Sequence, residues 1–158
     1  MLRKVLSGGQ TGVDRAGLDA ALNVGIPIGG YCPKGRLAED GTIPEKYPMT
    51  EMDTPEYYYR TEKNVQVSDG TLILNKGELT EGTRLTYDFT VKYGKPSLIV
   101  QLDAKDIIRP YQVVRWIDGQ SISTLNVAGP RESKHPDGIY AESVAYLERI
   151  FALIRQGA

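Results

Sequence analysis

The sequence has one cysteine, one histidine and two phenylalanines in 158 residues. Cys32 alone cannot form a disulfide within the chain. Stability must therefore come from a buried core, and with no secretory leader at the N-terminus the expected location is a reducing cytoplasm. His135 has no cysteine or carboxylate cluster around it, so no metal site is expected. No apolar run approaches the ~18 residues that a membrane span needs. Charge of one sign is also missing: 19 Lys and Arg stand against 20 Asp and Glu, for a net charge of −1. That balance gives no electrostatic footprint for nucleic acid or for an acidic membrane surface. Neither G-x-G-x-x-G nor G-x-x-x-x-G-K-[ST] occurs, which leaves the ordinary dinucleotide and Walker-type readings without a motif. Ten tyrosines against two phenylalanines decide nothing by themselves.

What is present is an apolar fraction of 41%, in a chain of ordinary one-domain length, and the expectation is a single domain over residues 1–158. The pattern alternates strand and helix. Residues 3–7 read as a strand, 14–22 as a helix stopped by Gly25 and Pro27, and 26–31 as a second short strand. Residues 32–54, rich in Pro, Gly and charge, read as a long loop. Thr54 is expected to cap a helix with Pro55 at its first position, running to about Val67. A buried strand at 70–74, a helix at 83–93, a strand at 97–102, a helix at 107–117 and a strand at 124–128 follow. The last helix is expected over 138–155, with Val144, Leu147, Ile150, Phe151 and Ile154 on one stripe. This alternation predicts a three-layer α/β/α, Rossmann-like fold with a mainly parallel sheet.

In such sheets ligands bind beyond the carboxyl ends of the strands. The first such place is the turn Ser7-Gly8-Gly9-Gln10-Thr11-Gly12. Its glycines let a backbone approach closely, the next helix offers free N–H groups to an anion, and Ser7, Gln10 and Thr11 add donors. A tight turn that binds nothing is the plainer alternative. Asp14 reads as a helix cap, and Arg15 as an anion contact or a solvated surface residue. Gly82 and Thr83 form a second junction, again open to reading as a simple N-cap by Thr83. Asn126, Gly129, Pro130, Arg131 and Ser133 form a third, where a guanidinium fork suits an oxyanion. In the long loop, Lys34 and Arg36 flank Gly35 and could close over phosphates, while Cys32 reads as a small buried residue rather than a soft metal ligand. Asp69 could accept from a ribose or base, or start a turn.

Taken together, residues 7–16, 30–36, 68–71, 82–86 and 125–133 resemble the putative molybdenum carrier family, in order and over nearly the whole chain. The resemblance implies a Rossmann-like fold of the lysine-decarboxylase-like and nucleotide-binding group. It implies a phosphorylated small-molecule ligand, with the molybdenum cofactor (molybdopterin) as candidate, molybdoenzyme apoproteins as partners, and a homo-oligomer. Related cytokinin-activating hydrolases carry P-G-G-x-G-T-x-x-E. Here Gly82-Thr83 matches the G-T, Glu81 replaces a small residue, and Thr86 stands in place of the catalytic Glu. A threonine is no general acid or base near neutral pH, so a carrier that holds its ligand is expected, with no catalytic residue assigned. A phosphoribohydrolase-like enzyme using Asp14, Asp69 or Asp88 and a nucleotide-sensing regulator are the alternatives.

Overall fold

The computed structural model describes residues 1–157. Its centre is a five-stranded sheet in which every neighbouring pair is parallel. The strands are β1 (Lys4–Leu6), β2 (Ile28–Gly29), β7 (Gly70–Asn75), β8 (Ser97–Gln101) and β9 (Thr124–Ala128). Their spatial order is β2-β1-β9-β7-β8. Every residue of β7 is buried, as its β-branched and leucine run requires of a strand covered on both faces. β8 lies at the sheet edge and is only half-buried.

The helices are α1 (Val13–Asn23), α2 (Tyr57–Val67), α3 (Glu81–Lys92), α4 (Pro110–Gly119) and α5 (Tyr140–Gln156). Right-handed crossovers that run in opposite directions along a parallel sheet put their helices on opposite faces. Accordingly α1, α4 and α5 pack together on one face, and α2 and α3 on the other. The main core includes Val5, Leu18, Leu72, Leu74, Leu125, Val127, Leu147, Ile150 and Phe151, all inaccessible to solvent.

Several expected boundaries move, each for a tertiary reason. Thr54 does not cap α2. Its carbonyl accepts the Lys34 amide, and its hydroxyl accepts the Glu56 amide in a bend ahead of the helix. α3 starts at Glu81 behind Thr80, so Thr83 sits inside the first turn rather than at the cap. α4 begins at Pro110, and α5 at Tyr140. The α5 start is set from outside: the Glu132 carboxylate accepts the Ile139 and Tyr140 amides. The stretch 32–54 is not a bare loop. It contains β3 (Tyr31–Cys32) paired in parallel with β6 (Thr50–Glu51), and a hairpin of β4 (Leu37–Ala38) and β5 (Gly41–Thr42). Among the described residues no helix is long and apolar enough to cross a membrane.

Candidate functional site

β9 and β7 are neighbours, but the chain leaves them in opposite directions, toward α5 on one face and α3 on the other. That is the switch point where an open parallel sheet splits. A crevice lies there, enclosing about 180 Å3. Asn126 to Arg131 and Lys134 line it from the β9 side, and Thr80 to Thr83 and Thr86 from the start of α3. Tyr57, Arg60, Thr61 and Asn64, one polar face of α2, line a third side, and Gly8, Gln10 and Asp14 reach in from the first turn.

Arg60 is the best-defined group. It is 8% exposed, and its Nη1 donates to Asp14 Oδ2 at 3.1 Å. The guanidinium occupies the space above Gly8, where an added Cβ would sit 1.5 Å from Nη1. Its Nε has no hydrogen-bond partner. Asn126, 2% exposed, donates to Thr71 Oγ1 through Nδ2 and leaves Oδ1 unpartnered. Buried polar atoms are rarely left unpaired in folded proteins, and of the four among the described residues two belong to residues that line the crevice. Burial pushes the Asp14 carboxyl above its ordinary pKa, opposed by the Arg60 charge and the Gln10 amide. The crevice as a whole presents three cations, Arg60, Arg131 and Lys134, against two carboxylates, Asp14 and Glu81.

The α3 end of the crevice is open. The Thr83 and Arg84 amides turn back to the Thr80 carbonyl, while the Glu81 and Gly82 amides make no hydrogen bond within the described chain. A Cβ added at Gly82 meets nothing within 4 Å. Thr86 donates its hydroxyl to the Gly82 carbonyl at 2.9 Å.

The first turn behaves differently. Ser7 is buried, accepting the Gly9 amide on Oγ and donating that hydroxyl to the Asp14 carbonyl. The Gln10 amide goes to Asp14, the Thr11 amide to Gln10 Oε1, and the Val13 amide to the Pro130 carbonyl. Gly9 faces Ile43 and Met49, and Gly12 is pressed against the backbone of Pro130 and Arg131. Of this turn only Gly8 and Gln10 line the crevice.

Of the other sequence candidates, Asp14, Gly82, Thr83, Thr86, Asn126, Gly129, Pro130 and Arg131 come together in the crevice. Arg15 lies outside it, paired with Asp40 and donating to the Gly9 carbonyl. Arg36 donates to the carbonyls of Ile43, Pro44 and Tyr47 and so staples its own loop. Lys34 and Gly35 lie on that same loop away from the crevice, with the Gly35 amide held by Glu51. Asp69 precedes β7, at the amino end of the sheet, where its carboxylate takes the Ser123 and Thr124 amides. Ser133, with Thr11 and Arg131, is gathered around the Glu39 carboxylate. Burial resists ionisation of Glu39, but the Ser133 and Thr11 hydrogen bonds outweigh it and hold the carboxyl below its usual range. The sequence reading missed Tyr57, Arg60, Thr61, Asn64, Thr80 and Lys134. The one available signal was the 57-60-61-64 spacing, which puts these α2 residues on one face.

The chain is thus a doubly wound α/β protein, with its crevice at the switch point where proteins of this architecture bind their ligands. Counted from β9 through α5 to β1, the strands fall in the doubly wound order 3-2-1-4-5, entered part-way round. The chain belongs to the circularly permutated YpsA SLOG family, whose model matches residues 5–151. It is also similar to a crystal structure from Syntrophus aciditrophicus named as a putative molybdenum carrier protein. The two share 46% identity, 94% of each chain is covered, and the TM-score is 0.86. None of the curated proteins compared matches the chain.

Proposed function

We propose that the crevice holds an oxyanionic small molecule by its phosphate end, and that the protein keeps this ligand rather than cleaving it. The observation that carries this reading is Arg60: a buried guanidinium, pinned by Asp14, with Nε unpartnered in the crevice wall. Immobilising a cation in that state is costly unless an acceptor completes it, and a phosphate or oxyanion is the acceptor that a guanidinium suits best. Arg131, Lys134 and the free Gly82 amide surround the same space. The volume, about 180 Å3, is below the roughly 300–1,000 Å3 that encloses a drug-sized ligand. It therefore takes the charged end of a ligand whose remainder extends outward past Tyr57.

A phosphorylated pterin of the molybdenum cofactor type satisfies these requirements, and the Syntrophus aciditrophicus neighbour's name points the same way. In this reading molybdenum arrives within its own pterin ligand. Arg60, Arg131, Lys134 and the Gly82 amide would hold the cofactor's phosphate, and the cofactor itself would supply the metal's chemistry to the molybdoenzyme apoprotein that receives it. Protein purified from cofactor-producing cells is expected to retain a pterin, visible by native mass spectrometry, and to slow its oxidation. That spectrum also tests the expected homo-oligomer. No retained pterin together with no protection overturns the carrier reading.

One observation favours a second reading, a nucleotide hydrolase. Asp14 lines the crevice with its pKa raised by burial, as a proton-holding catalytic group requires. Asp69 and Asp88 offer no such place, the first at the wrong end of the sheet and the second on the surface, paired with Arg84. Release of free base from nucleoside monophosphates, abolished in Asp14→Asn, would establish this reading over the first.

A further inference from the structure

Two acidic residues tie the 131–134 segment to its neighbours, and they do so differently. The Glu39 carboxylate accepts from Thr11 and Ser133, its amide donates to Gln10 Oε1, and it is part of the framework. Glu81 has a single tie. Its Oε2 lies 3.0 Å from Lys134 Nζ, with the side chains 66% and 29% exposed. Both residues line the crevice, Glu81 at the start of α3 and Lys134 on the segment that follows β9. Glu81 holds φ at +41°, a left-handed conformation that is costly for a side chain of its kind. Nothing in the packing requires a carboxylate there, because the side chain is mostly in solvent.

Resting on the reading above, we propose that Glu81 sets the charge threshold of the site, acting as a built-in anion that occupies Lys134 until a more highly charged ligand displaces it. The positive end of α3 and Lys134 both attract anions. With Glu81 in place, a singly charged or neutral ligand gains little by displacing a carboxylate that is already there. A phosphate dianion brings more charge and also completes Arg60. The Lys134 hydrogen bond and charge hold the Glu81 carboxyl below its ordinary pKa, so it remains a competitor at neutral pH. The contact is exposed and exchangeable, as a displaceable group must be.

The test titrates inorganic phosphate by calorimetry at low salt into the wild type, Glu81→Gln, Glu78→Gln, Lys134→Ala and the Lys134→Ala, Glu81→Gln double variant. Glutamine keeps the length of the side chain and the same backbone demand while removing the charge. Glu81→Gln is expected to tighten phosphate binding by about two- to fivefold, the scale of an exposed pair, with an unchanged melting temperature. The gain should shrink as salt is added. Glu78, exposed on the preceding loop and outside the crevice, should give no gain as glutamine. On the Lys134→Ala background the gain from Glu81→Gln should vanish, since the residue acts through Lys134. Equal tightening in Glu78→Gln, or an undiminished gain without Lys134, overturns the proposal. So does unchanged affinity in Glu81→Gln. If phosphate binds none of the variants nor the wild type, the crevice reading itself fails and this proposal falls with it.

Discussion

Two glycine-bearing strand-to-helix junctions, Ser7–Gly12 ahead of α1 and Thr80–Thr83 ahead of α3, look alike in the sequence and differ in the fold. Both offer helix N-termini to an anion. In the first, the chain's own groups take most of the donors: Asp14 receives the Gln10 amide, and Ser7, Gln10 and Pro130 take three more. In the second, the Gly82 amide is left free beside open space. A glycine-rich turn is thus a potential anion site only when nothing else in the molecule consumes its donors. The first turn carries into the helix whose Asp14 holds Arg60, and the second lines the open crevice.

The largest effect that separates the two is expected at Asp14. Asp14→Ala leaves Arg60 buried without its partner and should cost about 3 kcal/mol, read from urea unfolding. A loss below about 1 kcal/mol would show that the pair does not hold the first turn. Next is Gly9→Val. With φ at +75° and Ile43 Cδ1 2.8 Å from the new Cβ, it should destabilise by about 2 kcal/mol. Phosphate affinity of the folded fraction should stay unchanged, because Gly9 faces the core. Gly82→Ala should show the opposite pattern. Alanine suits a helix better, so stability holds or rises slightly, while phosphate binding weakens by about tenfold as the methyl group crowds the free amide. Equal affinities in calorimetry would move the site away from α3. The smallest effect concerns pH. The folded-state pKa of Glu39 is depressed, so its contribution is fully present above the ordinary value of 4.5 and is lost as pH falls through the lower folded value. The stability gap between wild type and Glu39→Gln should therefore close on acidification from pH 7 to about pH 3. A gap that widens in acid would be wrong in sign for this assignment.

Much of the fold was legible. The runs at 70–75 and 124–128 are too apolar and β-branched for surface chain, and Gly25, Pro27 and Gly94 stop their helices where local chemistry says they should. Helix starts were read less well. The start of α5 is capped by Glu132 from the preceding loop, and that of α2 is delayed because Thr54 is bonded to Lys34. The segment 32–54 read as loop because its strands are only two residues each and pair with one another rather than by a period. At the site, the glycine and small-polar positions of 82–86 and 126–131 stood out. Arg60 did not, since an arginine within a helix is ordinarily a surface residue and nothing local reveals that Asp14, 46 positions away, will pin it.

By itself the sequence determined the alternation of strand and helix, the absence of a disulfide within the chain, and the three junctions able to meet an anion, because periodicity, turn chemistry and composition are local properties. Tertiary structure decided which of those junctions stays open. The Ser7, Gly9, Gln10 and Thr11 amides of the first turn take acceptors that the fold brings to them. Asp14 and Pro130 arrive at that turn, while no acceptor arrives at Gly82. The partner of a hydrogen-bonding group is a matter of distance in space, and a position in the sequence does not carry it.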